Sequence, residues 1–165
     1  MKVYDIYSSP IGEILIVMSD EGLCNIELFK EDWEIYLKQN SNLKLDKERC
    51  KTVTTQLTEY FQGKRQTFDV PLDIKGSSFQ SVVWQYLSTI PYGKTCSYQD
   101  VANKIGNARA VRAIGGACKA NPIPIIIPCH RVIGKNGKLI GYAGDRSWVK
   151  EWLLKHEEKY VEGDK

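Results

Sequence analysis

The stretch Asn121-Pro122-Ile123-Pro124-Ile125-Ile126-Ile127-Pro128-Cys129-His130-Arg131-Val132 decides how this chain is read. Three prolines exclude a helix, because each lacks a backbone donor and fixes φ. The isoleucines nevertheless demand burial. An irregular, apolar segment therefore runs through a core and delivers a cysteine, a histidine and an arginine at its end. A cysteine in such a place is most often an inert packing residue. Its neighbours set this one apart. A free thiol has a pKa of about 8.5, and a nearby base and positive charge raise its thiolate fraction. His130 can act directly or through a water if a third group orients it, and Glu157 is a candidate for that role.

Upstream, Ser77 or Ser78 caps a helix carrying Phe79, Val82, Val83, Tyr86, Leu87 and Ile90, ended by Pro91-Tyr92-Gly93. Ser97-Tyr98-Gln99-Asp100 is a capping box with Asp in place of Glu, opening a short helix to about Ile105. After a Gly106-Asn107 turn, a second short helix from about Ala108 to Lys119 carries Arg109, Arg112 and Lys119, and the pair has the form of a helix-turn-helix. Downstream, Lys135 to Lys138 reads as a hairpin turn. Ser147 to Glu158 reads as an amphipathic helix with Trp148, Trp152, Leu153 and His156 inward.

The first 76 residues differ in character. Val3–Tyr7, Ile14–Met18 and Leu23–Phe29 predict a three-stranded meander, and helices follow over 31–40 and 52–61. Residues 64–76 read as extended, with Pro71 confining them to an edge or loop. Charge divides the same way. Residues 1–76 hold 10 basic and 13 acidic residues, and residues 77–165 hold 13 basic and 7 acidic. Such a cationic half suits an anionic partner on one face or, more plainly, a solvated lysine-rich surface. The 165-residue chain holds 42% apolar and 26% charged residues, with no apolar run long enough to span a membrane and no secretory leader pattern, so a cytoplasmic protein is expected. Five widely spaced cysteines without a C-x-x-C argue against a disulfide framework or a zinc knuckle, and no metal is expected.

Several motifs now fall into one order: Phe79-Gln80, Val83-Trp84, Ile90-Pro91-Tyr92-Gly93, Ser97-Tyr98, Ala110-Val111-Arg112-Ala113-Ile114-Gly115, Asn121-Pro122, Ile127 to Val132, and Leu153-Leu154-Lys155-His156-Glu157. In this the C-terminal half resembles the catalytic domain of the O6-alkylguanine-DNA alkyltransferases, the methylated-DNA–protein-cysteine methyltransferases. The resemblance implies an α+β protein in two domains. Residues 1–76 would form a structural α/β domain of ribonuclease-H-like topology, and residues 77–165 a mostly helical domain that binds DNA and transfers the alkyl group. It further implies a cofactor-free monomer whose partner is duplex DNA containing O6-alkylguanine, with O4-alkylthymine a further substrate. The damaged nucleotide would be flipped out and its alkyl group moved irreversibly to Cys129, once per molecule.

The same resemblance assigns roles. Cys129 is the nucleophile, His130 the base acting through a water, and Glu157 its partner. Asn121 bridges the helix-turn-helix to the active-site segment, and Tyr98 meets the phosphate and the flipped base and donates a proton to guanine. Arg112 is the finger that fills the vacated stack from a helix in the minor groove. Gln99, Asn107 and Lys135 touch the DNA backbone, while Val132, Tyr142 and Ala143 line the base pocket. The chain departs from the family at Gly144-Asp145, where two glycines are common, and by one residue inserted between Tyr142 and Leu153. Two other readings of the residues stand beside this one. The first is a helix-turn-helix regulatory module with a structural Cys129. The second is a cysteine hydrolase using Cys129 and His130, although no oxyanion-hole motif is visible.

Overall fold

The computed structural model describes residues 1–137 and 146–161. The chain divides into two compact units, Met1–Ile74 and Lys75–Lys165. No described helix is long and apolar enough to cross a membrane.

The first unit is built on the predicted meander: β1 (Val3–Ser9), β2 (Gly12–Met18) and β3 (Leu23–Glu27). A two-residue loop sets the β1–β2 register, with Ser9 opposite Gly12 and Val3 opposite Met18. β4 (Lys44–Leu45) pairs parallel with β1, giving the order β3-β2-β1-β4. Ile14, Leu15, Ile16 and Val17 of β2 are all fully buried. Such an unbroken apolar strand needs cover on both faces. Trp33 of α1 (Lys30–Gln39) packs on Leu15 and Val17. α2 (Lys47–Phe61) covers the other face with Val53 and Leu57. Each such buried aliphatic side chain contributes about 1.5–3 kcal/mol.

α2 begins a turn earlier than its apolar periodicity indicates. Asp46 accepts a hydrogen bond from the Arg49 amide and starts the helix through the polar run Lys47-Glu48-Arg49. The extended segment before Ile74 is tied to the sheet edge, where Leu23 pairs with Leu72. Gly22 has φ of +155°, and a Cβ there would lie 2.5 Å from the Pro71 carbonyl oxygen, so this close approach requires glycine.

In the second unit, α3 (Ser78–Leu87) opens with a capping box of Ser77 and Gln80, and the Trp84 indole donates to the Ala117 carbonyl at 2.9 Å. The capping box of Ser97 and Asp100 opens α4 (Tyr98–Lys104), as predicted. Gly106, at φ +80°, makes the turn into α5 (Val111–Lys119). α5 starts three residues later than expected, because Ala108–Ala110 remain a turn before the helix. Ile123, Ile125 and Ile127 are buried, and Ile125 holds φ of +76°, a strained conformation for a β-branched residue.

Cys129–Arg131 form one 3-10 turn, followed by β6 (Val132–Ile133), which pairs parallel with β5 (Cys96–Ser97). The hairpin turn expected at Lys135–Lys138 is instead a 3-10 turn over Lys135–Gly137, closed by the Gly137 amide on Gly134, and Lys138 lies outside the described residues. α6 (Ser147–Val161) completes the unit. Its buried stripe is Val149, Lys150, Leu153, His156 and Glu157. Trp148, expected to point inward, is 48% exposed because it precedes that stripe by one position.

Candidate active site

Three elements meet around Cys129. The Pro-rich segment delivers it, β5–β6 pairing brings the start of α4 and Tyr98 alongside, and α6 contributes Glu157. Asn121 closes the segment on itself. Its Nδ2 donates to the Ile127 carbonyl at 2.8 Å and its Oδ1 accepts from the Ile123 amide at 3.0 Å. These two bonds hold the strained Ile125 turn and so fix the approach to Cys129, which is 6% exposed.

Next to Cys129 in the chain begins a buried hydrogen-bonded network of His130, Arg131 and Glu157. His130 Nε2 and Glu157 Oε2 are 2.6 Å apart, with both side chains buried. Arg131 grips the same carboxylate, Nε to Oε1 at 2.8 Å and Nη2 to Oε2 at 3.2 Å, and its Nη1 donates to the Ile90 carbonyl at 2.7 Å. The Gly93 amide adds a further donor at 3.3 Å. Burial alone would raise the Glu157 carboxyl. The opposing charge and hydrogen bonds of His130 and the Arg131 guanidinium overcome it and hold the group well below the usual carboxylate range. Burial lowers His130, outweighing the pull of Glu157. The pair is therefore a carboxylate facing a neutral imidazole. Nε2–H donates to Glu157, which leaves the Nδ1 lone pair to take a proton. Nδ1 is buried without a hydrogen-bond partner among the described residues.

The remaining cysteines lack such a setting. Burial pushes Cys50 and Cys118 up to about 12 and Cys96 up to about 11, and it also raises Cys24. They are poor nucleophiles at neutral pH. Burial, reinforced by charge on Cys118 and Cys129, raises the Tyr98 hydroxyl, so it stays protonated and can donate.

Arg112 and Lys119 lie on the exposed face of α5, opposite buried Ile114, Ala117 and Cys118, and Asn107 and Lys135 are also exposed. Gln99 points back into the helix pair, donating to Asn103 Oδ1 and to the Ala108 carbonyl, both at 3.0 Å. Val132 is fully buried beside Cys129. Tyr142 and Ala143 lie outside the described residues, as do Gly144 and Asp145. Two functional-site features escape a sequence reading. One is the double grip of Arg131 on Glu157, and the other is the burial of Lys150 next to Tyr98. Among the described residues no cluster of His, Cys, Asp and Glu is arranged to hold a metal ion.

The coupled pair makes stability pH-dependent with a defined sign. His130 is depressed in the folded state, so the unfolded chain takes up its proton first. Stability is then lost as pH falls below the ordinary histidine value of about 6.5. Glu157 is also depressed, so its contribution is full above the ordinary carboxylate value of about 4.3 and fades below it. Thermal melts from pH 8 to pH 4 are expected to show a falling midpoint in both windows. His130→Gln is expected to flatten the upper one, and an unchanged upper slope would exclude His130 as its source.

Comparison with known proteins agrees with this arrangement over both units. Residues 78–159 match the model of the 6-O-methylguanine DNA methyltransferase DNA binding domain, and residues 2–74 that of its ribonuclease-like domain. The constitutive methylated-DNA–protein-cysteine methyltransferase of Bacillus subtilis is 43% identical over 159 residues, 95% of this chain and 96% of the relative. That of Methanosarcina barkeri is 46% identical over 94% and 96% of the two chains. The crystal structure of the Mycobacterium tuberculosis O6-methylguanine methyltransferase superposes with a TM-score of 0.88 at 40% identity, covering 97% of this chain and 94% of the other. A structure of the Mycobacterium tuberculosis protein in complex with DNA superposes at 0.85, with 39% identity over 95% and 93%. On the strength of both domain matches and of relatives alike along nearly their whole length, the chain belongs to the methylated-DNA–protein-cysteine methyltransferase family.

Proposed function

We propose that this protein repairs DNA by direct reversal: it flips an O6-alkylguanine, or an O4-alkylthymine, out of the duplex and moves the alkyl group to Cys129. The observation that carries this reading is the buried His130–Glu157 pair at 2.6 Å, placed immediately after a cysteine at the end of a rigidly held segment. His130 Nδ1 takes the thiol proton through a water. The sulfur then attacks the saturated carbon, the C–O bond breaks, and the electron pair stays with guanine, which Tyr98 protonates. A thioether offers water no carbonyl to attack, so each molecule acts once. Neither a metal nor an organic cofactor enters this route.

The α5 face supports the DNA role. Cβ atoms added to Gly115 or Gly116 would meet nothing within 4 Å, so packing inside the protein does not demand glycine there. A close approach of the minor groove does. Arg112 extends from this face into the stack, while Asn107 and Lys135 meet phosphates. Gln99 acts through the helix pair that it braces, in addition to any phosphate it touches. Val132, Tyr142 and Ala143 line the base pocket. The division of labour is structural in residues 1–76 and DNA-binding and reactive in residues 77–165. The protein works as a monomer in the cytoplasm, whose reducing thiol pool keeps Cys129 free.

The test is stoichiometry. Duplex DNA bearing O6-methylguanine is titrated with protein and the lesions lost are counted. One lesion repaired per molecule, followed by a plateau, is expected; continued turnover would sink the proposal, as would binding without loss of lesions. Arg112→Ala is expected to slow repair about tenfold or more, since flipping costs a few kcal/mol, while affinity for undamaged duplex changes far less. Equal losses in both would remove the finger role.

A further inference from the structure

The Pro91-Tyr92-Gly93 stop of α3 reaches the active site. The Lys94 amide donates to the Pro91 carbonyl at 3.0 Å and closes a β-turn. Gly93, at the third position, holds φ of +78°, as a type II turn requires there. The consecutive residues Ile90 to Gly93 then make three contacts with the buried Arg131–Glu157 pair. The Ile90 carbonyl accepts from Arg131 Nη1 at 2.7 Å. The Tyr92 ring lies under the guanidinium, its centre 5.6 Å from Arg131 Cζ. The Gly93 amide donates to Glu157 Oε1 at 3.3 Å. Tyr92 and Arg131 are both buried, so cation and ring meet away from water, where this contact is strongest.

The same turn seats α6. A Cβ on Gly93 would lie 2.6 Å from Val161 Cγ2. Val161 follows Glu157 by four residues and shares its face of the helix. Glycine therefore lets the Glu157 face come down on the turn. Arg131 Nε and the Gly93 amide both engage Oε1. Oε2 is left for His130 Nε2 at 2.6 Å, with Arg131 Nη2 at 3.2 Å. A carboxylate pinned in this way cannot rotate about its Cγ–Cδ bond without losing donors. Arg131 can pin it only while its own far edge and its face are held, and Ile90 and Tyr92 hold them.

We propose that Tyr92 is a positioning residue for alkyl transfer, with the Ile90–Gly93 turn as its platform. Through Arg131, the ring keeps Glu157 aimed at His130 Nε2. His130 then stays in the tautomer whose Nδ1 takes the Cys129 proton. The inference rests on the alkyl-transfer reading for its effect on rate, whereas the state of His130 is read without DNA.

The experiment compares the full-length wild type with Tyr92→Leu, which removes the ring, and Tyr92→Phe, which keeps it. The ring nitrogens of His130 are followed by nitrogen NMR at neutral pH without DNA, with His156 identified through its Gln variant. Transfer from an O6-methylguanine duplex is timed on the same proteins. In the wild type the two His130 nitrogens are expected to resonate far apart, as in one fixed tautomer. In Tyr92→Leu they are expected to draw together, and transfer to slow about tenfold. Tyr92→Phe is expected to restore both. A role in packing alone would leave the His130 signals where they are. Unchanged His130 signals in Tyr92→Leu overturn the inference, and so does a Tyr92→Phe protein as altered as Tyr92→Leu. Signals that move while transfer keeps the wild-type rate overturn it too. If Tyr92→Leu does not fold, the wild type decides. Arg131 protons shifted upfield by the ring, and an Nε–H slow to exchange with water, support the platform; ordinary arginine values overturn it. If the wild type transfers no alkyl group while the His130 signals still follow the ring, the repair reading fails and the positioning of His130 stands.

Discussion

Replacing Glu157 with alanine is expected to lower the free energy of unfolding by about 3–5 kcal/mol and to stop transfer at Cys129. The carboxylate is buried and answers four donors: His130 Nε2, two Arg131 nitrogens and the Gly93 amide. Its removal leaves the Arg131 guanidinium buried with its bond to the Ile90 carbonyl but without its counter-ion, and an uncompensated buried charge is the costliest kind of loss. Glu157→Gln separates the two roles. It keeps the shape but not the charge, so part of the stability loss remains. Its amide can donate to Nε2, which turns the imidazole to the tautomer with hydrogen on Nδ1 and removes the proton acceptor. Transfer is expected to slow on the order of a hundredfold. Urea titration and single-turnover kinetics check both numbers, and a Glu157→Gln protein with the wild-type rate would remove the relay from the mechanism.

Cys129→Ser has the largest expected effect on activity. A hydroxyl is far less acidic and less nucleophilic than a thiol, so transfer should fall to background. The exchange is nearly isosteric, so stability should change by no more than about 1 kcal/mol and binding to duplex DNA should persist. The other thiols are poor substitutes, because burial raises Cys24 and pushes Cys50, Cys96 and Cys118 up to about 12, 11 and 12. Residual transfer in Cys129→Ser, mapped to another cysteine, would contradict the assignment.

Much of this was legible in the residues. Alternating and unbroken apolar runs marked the meander, a serine cap marked α3, the Ser97–Asp100 box marked α4, and prolines among isoleucines marked the buried irregular segment. Glu157, 27 positions from His130, was a candidate orienter from the residues alone, and the resemblance then assigned it that role. What stayed hidden shares a physical cause. The first turn of α2 is polar and starts from the Asp46 cap, and β4 is two exposed residues held by backbone pairing, so neither leaves an apolar period. Trp148 misled because size and hydrophobicity pointed inward while the helix phase turned it out. Lys150 and the grip of Arg131 on Glu157 were missed because charged side chains are assigned to the surface by default. For Glu157, the sequence suggested an orienter of His130; the Arg131 pair makes it a structural counter-ion as well.

The central claim is that the alkyl group ends on Cys129 and stays there. The most direct measurement is the intact mass of the protein after incubation with duplex DNA carrying O6-methylguanine, followed by peptide mapping. A gain of about 14 Da on every active molecule, located on the Cys129 peptide and stable to further incubation, is the predicted result. An unchanged mass with the lesion still in the DNA, or a lesion removed while the protein mass stays the same, would contradict it.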